Sequence, residues 1–240
     1  MRRLIGLLLV STAGCSGFGP PTSDQLRTMG LSGVPTPEIA APYVRQRIRM
    51  SVDSPWLAGE FEGVVVVRRG VPPVSVRVQL FGDLGPKALD VIARPDRIVG
   101  YFPQTHEGID CALPGEAGIH PLLFLGVSLI EEFSERSEDR VRGVREEKGG
   151  CWVLLKSAVE GLEVLEFRGE DGQWTRRRFH WTRGVTWEQE RTGKEERRIT
   201  ASGLSIRVKI LESDAEPPRN PAMLEPALPS DIRVVLGSRK

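Results

Sequence analysis

Between Val44 and Val52 the chain alternates: Val44, Gln46, Ile48, Met50 and Val52 share one phase, and Arg45, Arg47, Arg49 and Ser51 share the other. A period of two with one apolar phase predicts a half-buried strand. Gly59 to Arg69 holds the β-branched run Val64-Val65-Val66-Val67, and Val74, Val76, Val78 and Leu80 alternate with Ser75, Arg77, Gln79 and Phe81. Ala88 to Ala93 and Asp96 to Phe102 follow, separated by Arg94-Pro95-Asp96. Strands at this spacing, punctuated by Gly and Pro turns, predict an antiparallel meander.

The period changes between Gly118 and Phe133. Ile119, Leu122, Leu123, Val127 and Ile130 fall on one helical face, and Phe124, Leu125 and Leu129 widen it. So broad an apolar face predicts a mostly buried helix. Glu131, Glu132 and Glu135 are expected to mark its wet end. Short strands then resume over 141–145, 151–158, 162–168, 174–182, 185–190 and 197–200. Leu204, Ile206, Val208 and Ile210 alternate cleanly, and Ile232 to Leu236 reads as a closing strand after a Pro-rich segment. With no repeat and no internal linker, 42–237 reads as one domain. The fold class is α+β, mainly β: a strongly curved antiparallel sheet or open barrel, with the helix as lid or plug. Such a shape has an apolar concave face, and an unfilled one is a ligand cavity. Its expected lining is Val76, Val78, Leu80, Val91, Ile98, Leu122, Leu123, Val127, Ile206 and Val208.

Composition narrows the classes. Of 240 residues, 40% are apolar, enough for a packed core, and the net charge of +1 excludes a strongly basic nucleic-acid binder. No apolar window is long enough for a permanent transmembrane helix. The N-terminus reads Met1-Arg2-Arg3, an apolar run from Leu4 to Val10, then Ser11-Thr12-Ala13-Gly14-Cys15. A basic start, a short apolar run and small residues make a secretory signal over residues 1–14. Its end at a cysteine resembles a bacterial lipobox, with Thr12 where leucine is usual. That resemblance implies a lipid on Cys15, and Ser16 rather than Asp after it favours the outer membrane. The chain is then expected at the bacterial outer membrane, lipid-anchored and facing the periplasm. Residues 15–41, rich in Gly, Pro, Ser and Thr, read as the lipidated cysteine and a flexible tether, with a short helix near Ser23 to Met29.

In that compartment Cys111 and Cys151 read as one disulfide closing a loop of about 40 residues, worth about 3–4 kcal/mol, against the alternative of two buried free thiols. The histidines, His106, His120 and His180, have no metal-ligand spacing with them, so no metal or cofactor is expected. There is no Gly-x-Ser-x-Gly elbow and no His-Glu-x-x-His motif; His106, Asp110 and Cys111 form only a loop triplet, and the chain reads as a non-enzyme. Trp174 to Trp181 interleaves Arg176, Arg177 and Arg178 with aromatics. An exported protein does not routinely meet nucleic acid. The segment therefore reads as a strand with aromatics inward and solvated arginines outward, with a surface for anionic head groups as the alternative.

Phe81-Gly-Asp-Leu-Gly-Pro-Lys-Ala-Leu-Asp-Val91, followed by Pro95-Asp96 and a strand ending Tyr101-Phe102, resembles the LolB/LolA family of periplasmic lipoprotein carriers and receptors. The likeness is clearest over 45–103 and looser over 199–235. It implies an open barrel with helices over a cavity for acyl chains, in lipoprotein or lipid trafficking, the partner being a lipoprotein or phospholipid. It also implies that Leu84, on a turn between strands, protrudes and enters the membrane. Asp83 stands where the family has a less polar residue. The alternative is an accessory envelope lipoprotein of the same fold, its cavity plugged, that docks a protein partner.

Overall fold

The computed structural model describes residues 17–29, 42–55, 57–69, 73–82, 85–113, 121–134, 138–181, 184–215, 217, 221–225 and 227–237. The first half forms β1 (Tyr43–Asp53), β2 (Ala58–Arg68), β3 (Ser75–Phe81), β4 (Lys87–Arg94), β5 (Arg97–Phe102) and β6 (Glu107–Ala112). The second half forms β7 (Val141–Glu147), β8 (Gly150–Lys156), β9 (Leu162–Gly169), β10 (Trp174–Trp181), β11 (Thr186–Arg191), β12 (Glu196–Ala201) and β13 (Leu204–Asp214). Two helices, α1 (Ser23–Thr28) and α2 (Pro121–Phe133), and a last strand, β14 (Arg233–Gly237), complete it.

All fourteen strands of the described residues lie in one curved, unclosed sheet, in the order β14-β6-β5-β4-β3-β2-β1-β13-β12-β11-β10-β9-β8-β7. Each half is an antiparallel meander. The halves are joined where β1 pairs with β13, Met50 opposite Val208 and Val52 opposite Ile206. The alternation that predicts β1 is the alternation that buries Val44, Ile48, Met50 and Val52. The chain passes from one meander to the other through α2, which lies on the concave face against β3, β4, β5 and β12. It starts at Pro121, where the missing N–H costs nothing. Every side chain from Leu122 to Glu131 is buried.

The sheet's first half is covered on its outer face too. β4 is buried from Ala88 to Ala93, and a 3-10 turn at Pro221–Leu224 packs against the neighbouring β3 with Leu224 fully enclosed. Beneath that cover Asp90 takes a bidentate pair from Arg77, at 2.6 and 2.8 Å, and bonds from Lys87 and Gln79, while Arg77 also donates to Met223 O. Burial pushes the Asp90 carboxyl up, but the hydrogen bonds from Arg77, Lys87 and Gln79 and the charge of Arg77 together hold it below the usual carboxylate range. A carboxyl lowered by folding stabilises in full above its unfolded value near 3.9, and that stabilisation is lost as pH falls from there through the folded value. The stability gap between the wild type and Asp90→Asn should therefore be constant from pH 7 to 5 and shrink below pH 4. Urea titrations across that range check it, and a gap that does not change with pH contradicts it.

Residues 17–29 do not behave as the expected tether. Gly19 makes a two-bond antiparallel bridge to Val144 of the edge strand β7, and α1 carries a capping box between Thr22 and Gln25. Leu26 and Met29 are buried in the common core. The physical reason is edge protection: unpaired β7 would otherwise present open backbone groups.

Candidate functional site

The concave face and its helix are the candidate site. Every expected lining residue, from Val76, Val78 and Leu80 through Val91, Ile98, Leu122, Leu123 and Val127 to Ile206 and Val208, is buried in one core cluster. Those on β3, β4 and β5 lie in strands that α2 packs against. Gly126 permits this closeness, since a side chain there would put its Cβ 3.0 Å from Ile98 Cδ1 and 3.1 Å from Ala93 Cβ. Phe124 packs on Trp187 at 5.0 Å, and Trp187 stacks on Phe179 at 4.8 Å with rings within 3° of parallel.

The helix changes character along its length. Leu122 to Val127 carry no polar side chain. Beyond them, Ser128 Oγ accepts from Trp187 Nε1 at 3.0 Å. Glu131, expected at a wet end, is 2% exposed and accepts from Arg140, Ser157 and the Ala158 N–H. Glu132 accepts from Gln189 and Arg197. The helix enters the barrel whole, so its acidic end meets Arg140, on the turn before β7, and Arg197 of β12 before it meets water.

At that end the inner face of β9 to β12 turns polar. Glu166 is fully buried between Arg168, at 2.6 Å, and Arg177, at 2.7 Å. Arg177 also reaches Gln189, and its Cζ lies 3.8 Å from the centroid of the Trp174 ring. Arg177 is thus not one of a solvated row. Arg176 and Arg178 are exposed as expected, whereas Arg177 shares the inward phase of Phe179 and Trp181. A register shift between Trp174 and Arg176 turns Trp174 inward as well, which strict alternation does not allow. Sequence reasoning missed this cluster, although the two-residue spacing of Arg177, Phe179 and Trp181 carried the signal.

The expected disulfide is absent. Cys111 on β6 and Cys151 on β8 are free, each one strand in from an opposite edge of the sheet. Burial pushes both thiols up, and Cys151 Sγ rests 3.4 Å from Met29 Sδ. The loop triplet disperses: Asp110 pairs with Arg97, Cys111 points to the core, and His106 lies 3.2 Å from Asp231. Among the described residues no three His, Cys, Asp or Glu side chains gather as metal ligands, and no helix is long and apolar enough to cross a membrane. Cys15 and Leu84 lie outside the described residues.

The chain shares its fold with a DUF1329 family protein from Desulfovibrio piger. Identity is 11%, the likeness covers 84% of this chain and 95% of that one, and the TM-score is 0.54. A looser likeness, with a TM-score of 0.47 and 10% identity, covers 74% of this chain and 90% of a domain assigned to outer membrane lipoprotein sorting in Vibrio parahaemolyticus. No family model matches the sequence, and no curated protein does. The open, helix-bearing antiparallel sheet expected from the sequence is the fold observed.

Proposed function

We propose that this chain is a bacterial envelope lipoprotein, anchored through Cys15 at the outer membrane and facing the periplasm, whose barrel takes up acyl chains in lipoprotein or lipid trafficking. One observation carries the reading. Away from its polar end the concave face is apolar, and half of what covers it, Leu122 to Val127, carries only apolar side chains or none, whose packing an acyl chain reproduces. Burying each such side chain contributes about 1.5–3 kcal/mol, and a lipid tail replacing them offsets that cost. The signal ending at Cys15 and the likeness over 45–103 support the same reading. In it, the polar half of α2 is the hinge side.

A second reading is favoured by the locks at Ser128, Glu131 and Glu132: a permanently plugged barrel that docks a protein partner. A reversible bond between α2 and the sheet separates the two. In Ala93→Cys/Gly126→Cys the new Cβ atoms start 3.1 Å apart, a few tenths of an ångström short of disulfide geometry. Using protein that starts at Ser16, uptake of a fluorescent fatty acid should fall at least tenfold on oxidation and return on reduction. Absence of binding in the wild type and in both states of the variant overturns the carrier reading.

A further inference from the structure

The chain leaves almost no slack between the lipidation site and the folded domain. Phe18 already lies under the Arg145 guanidinium, 5.1 Å from ring centroid to Cζ. Gly19 is fixed to Val144 by Gly19 N–H to Val144 O at 3.0 Å and Val144 N–H to Gly19 O at 2.9 Å. Past it, Gln25 Nε2 donates to Glu146, and Met29 O accepts from Arg168. These contacts fall on β7 and β9, so the segment is clamped at several points. Cys15 is three residues before Phe18. Three trans Cα–Cα steps of 3.8 Å reach about 11 Å at most.

Direction follows from the pairing. The bridge at Gly19 and Val144 is antiparallel, so the chain running back from Gly19 heads along β7 toward Glu147 and the β7–β8 hairpin. That hairpin shares its end of the barrel with the β9–β10 turn at 169–173, the start of β10 and the buried Glu166, Arg168 and Arg177 cluster.

We propose that the lipid on Cys15 holds this end of the barrel, with the β7 edge and the β7–β8 hairpin, directly against the bilayer surface. The proposal rests on the reading that Cys15 is lipidated. Bulk electrostatics do not do the orienting: Glu146, Glu147, Glu170 and Asp171 share this exposed rim with Lys148. The short leash does it, because it holds that edge within about 11 Å of the lipid whatever the charge of the head groups. The polar end of the barrel and the last turn of α2 then face the membrane, while the β12–β13 turn at Ser202 faces the periplasm, about one strand length, roughly 25–35 Å, farther out.

The test uses the full-length lipidated protein in phosphatidylglycerol–phosphatidylethanolamine vesicles containing a nickel-chelating lipid. Nitroxides are placed by Lys148→Cys or by Ser202→Cys, in a Cys111→Ala/Cys151→Ala background whose thermal unfolding is checked against the parent. Relaxation enhancement by the head-group nickel should be at least fivefold greater at position 148 than at 202. Inserting a twenty-residue Gly-Ser linker between Ser16 and Gly17 should erase the difference while the protein still floats with the vesicles. Equal enhancement at both positions in the unextended, floating protein overturns the proposed orientation and leaves the anchor reading standing. A parent that fails to float, or floats equally well as Cys15→Ser, overturns the anchor reading and the orientation with it.

Discussion

Replacing Glu166 by glutamine should cost about 3–5 kcal/mol of stability, because two guanidiniums lose their shared carboxylate in a place that water does not reach. Glu166 is 0% exposed, Arg177 1% and Arg168 5%, so neither arginine turns outward to recover hydration. Arg177 keeps Gln189 and the Trp174 face, and Arg168 keeps carbonyl acceptors at Met29 and Gly172, but none of these carries a countercharge. Glu62, paired with Arg49 at 3.1 Å on the surface, is the control, and Glu62→Gln should cost under about 1 kcal/mol. Urea unfolding at pH 7 reads both, the midpoint moving while the slope stays constant. A loss below 1 kcal/mol for Glu166→Gln would mean that the cluster is wetter than the structure shows it. Replacing the trio together, as Glu166→Leu/Arg168→Met/Arg177→Leu, should recover most of the loss, since an apolar trio leaves no charge unpaired. The cluster is then a device for register and specificity at the polar end of the barrel, not a source of net stability.

That cluster also marks where sequence patterning stops being legible. Alternation identified β1, β3 and β13, because apart from Gln46 their inward phase is aliphatic and apart from Phe81 the opposite phase is charged or polar over the alternating stretch. The apolar run at 118–133 located α2 to within a few residues, since nothing else in the chain has a period near four. Three features were hidden for physical reasons. β6, Glu107-Gly-Ile-Asp-Cys-Ala, is too short and too mixed to show a period, and its pairing comes from β5 on one side and β14 on the other. The inward carboxylate and arginines of β9 and β10 look solvated in one dimension, because the partners that satisfy them come from neighbouring strands. The docking of residues 17–29 is invisible for the same reason: Gly, Pro and Thr there signal loop, while the open edge of β7 that recruits them is formed more than a hundred residues later. A disulfide between Cys111 and Cys151 fails on topology, which spacing along the chain does not report.

Trp187→Ala should also cost about 3–5 kcal/mol, and its second effect bears on function. Trp187 is 2% exposed, stacks on Phe179, touches Phe124 of α2 and donates to Ser128. Truncation removes the floor beneath the middle of the helix and strands the Ser128 hydroxyl. The gap is apolar on the side of Phe124 and Phe179, so an apolar guest fills it without a desolvation penalty. Trp187→Phe isolates the polar part: it keeps a ring in the stack and should cost about 1–2 kcal/mol, recovered in large part by adding Ser128→Ala, which removes the orphaned hydroxyl. If α2 is displaceable, Trp187→Ala lowers the cost of displacing it, and fatty-acid uptake should rise several-fold even as the melting temperature falls. If α2 is a permanent plug, the variant melts earlier and takes up no more fatty acid than the wild type. Stability alone does not distinguish these outcomes, because both forms of the barrel lose the same packing. Uptake does, because only a helix held mainly by apolar contacts can be exchanged for a ligand made of the same chemistry.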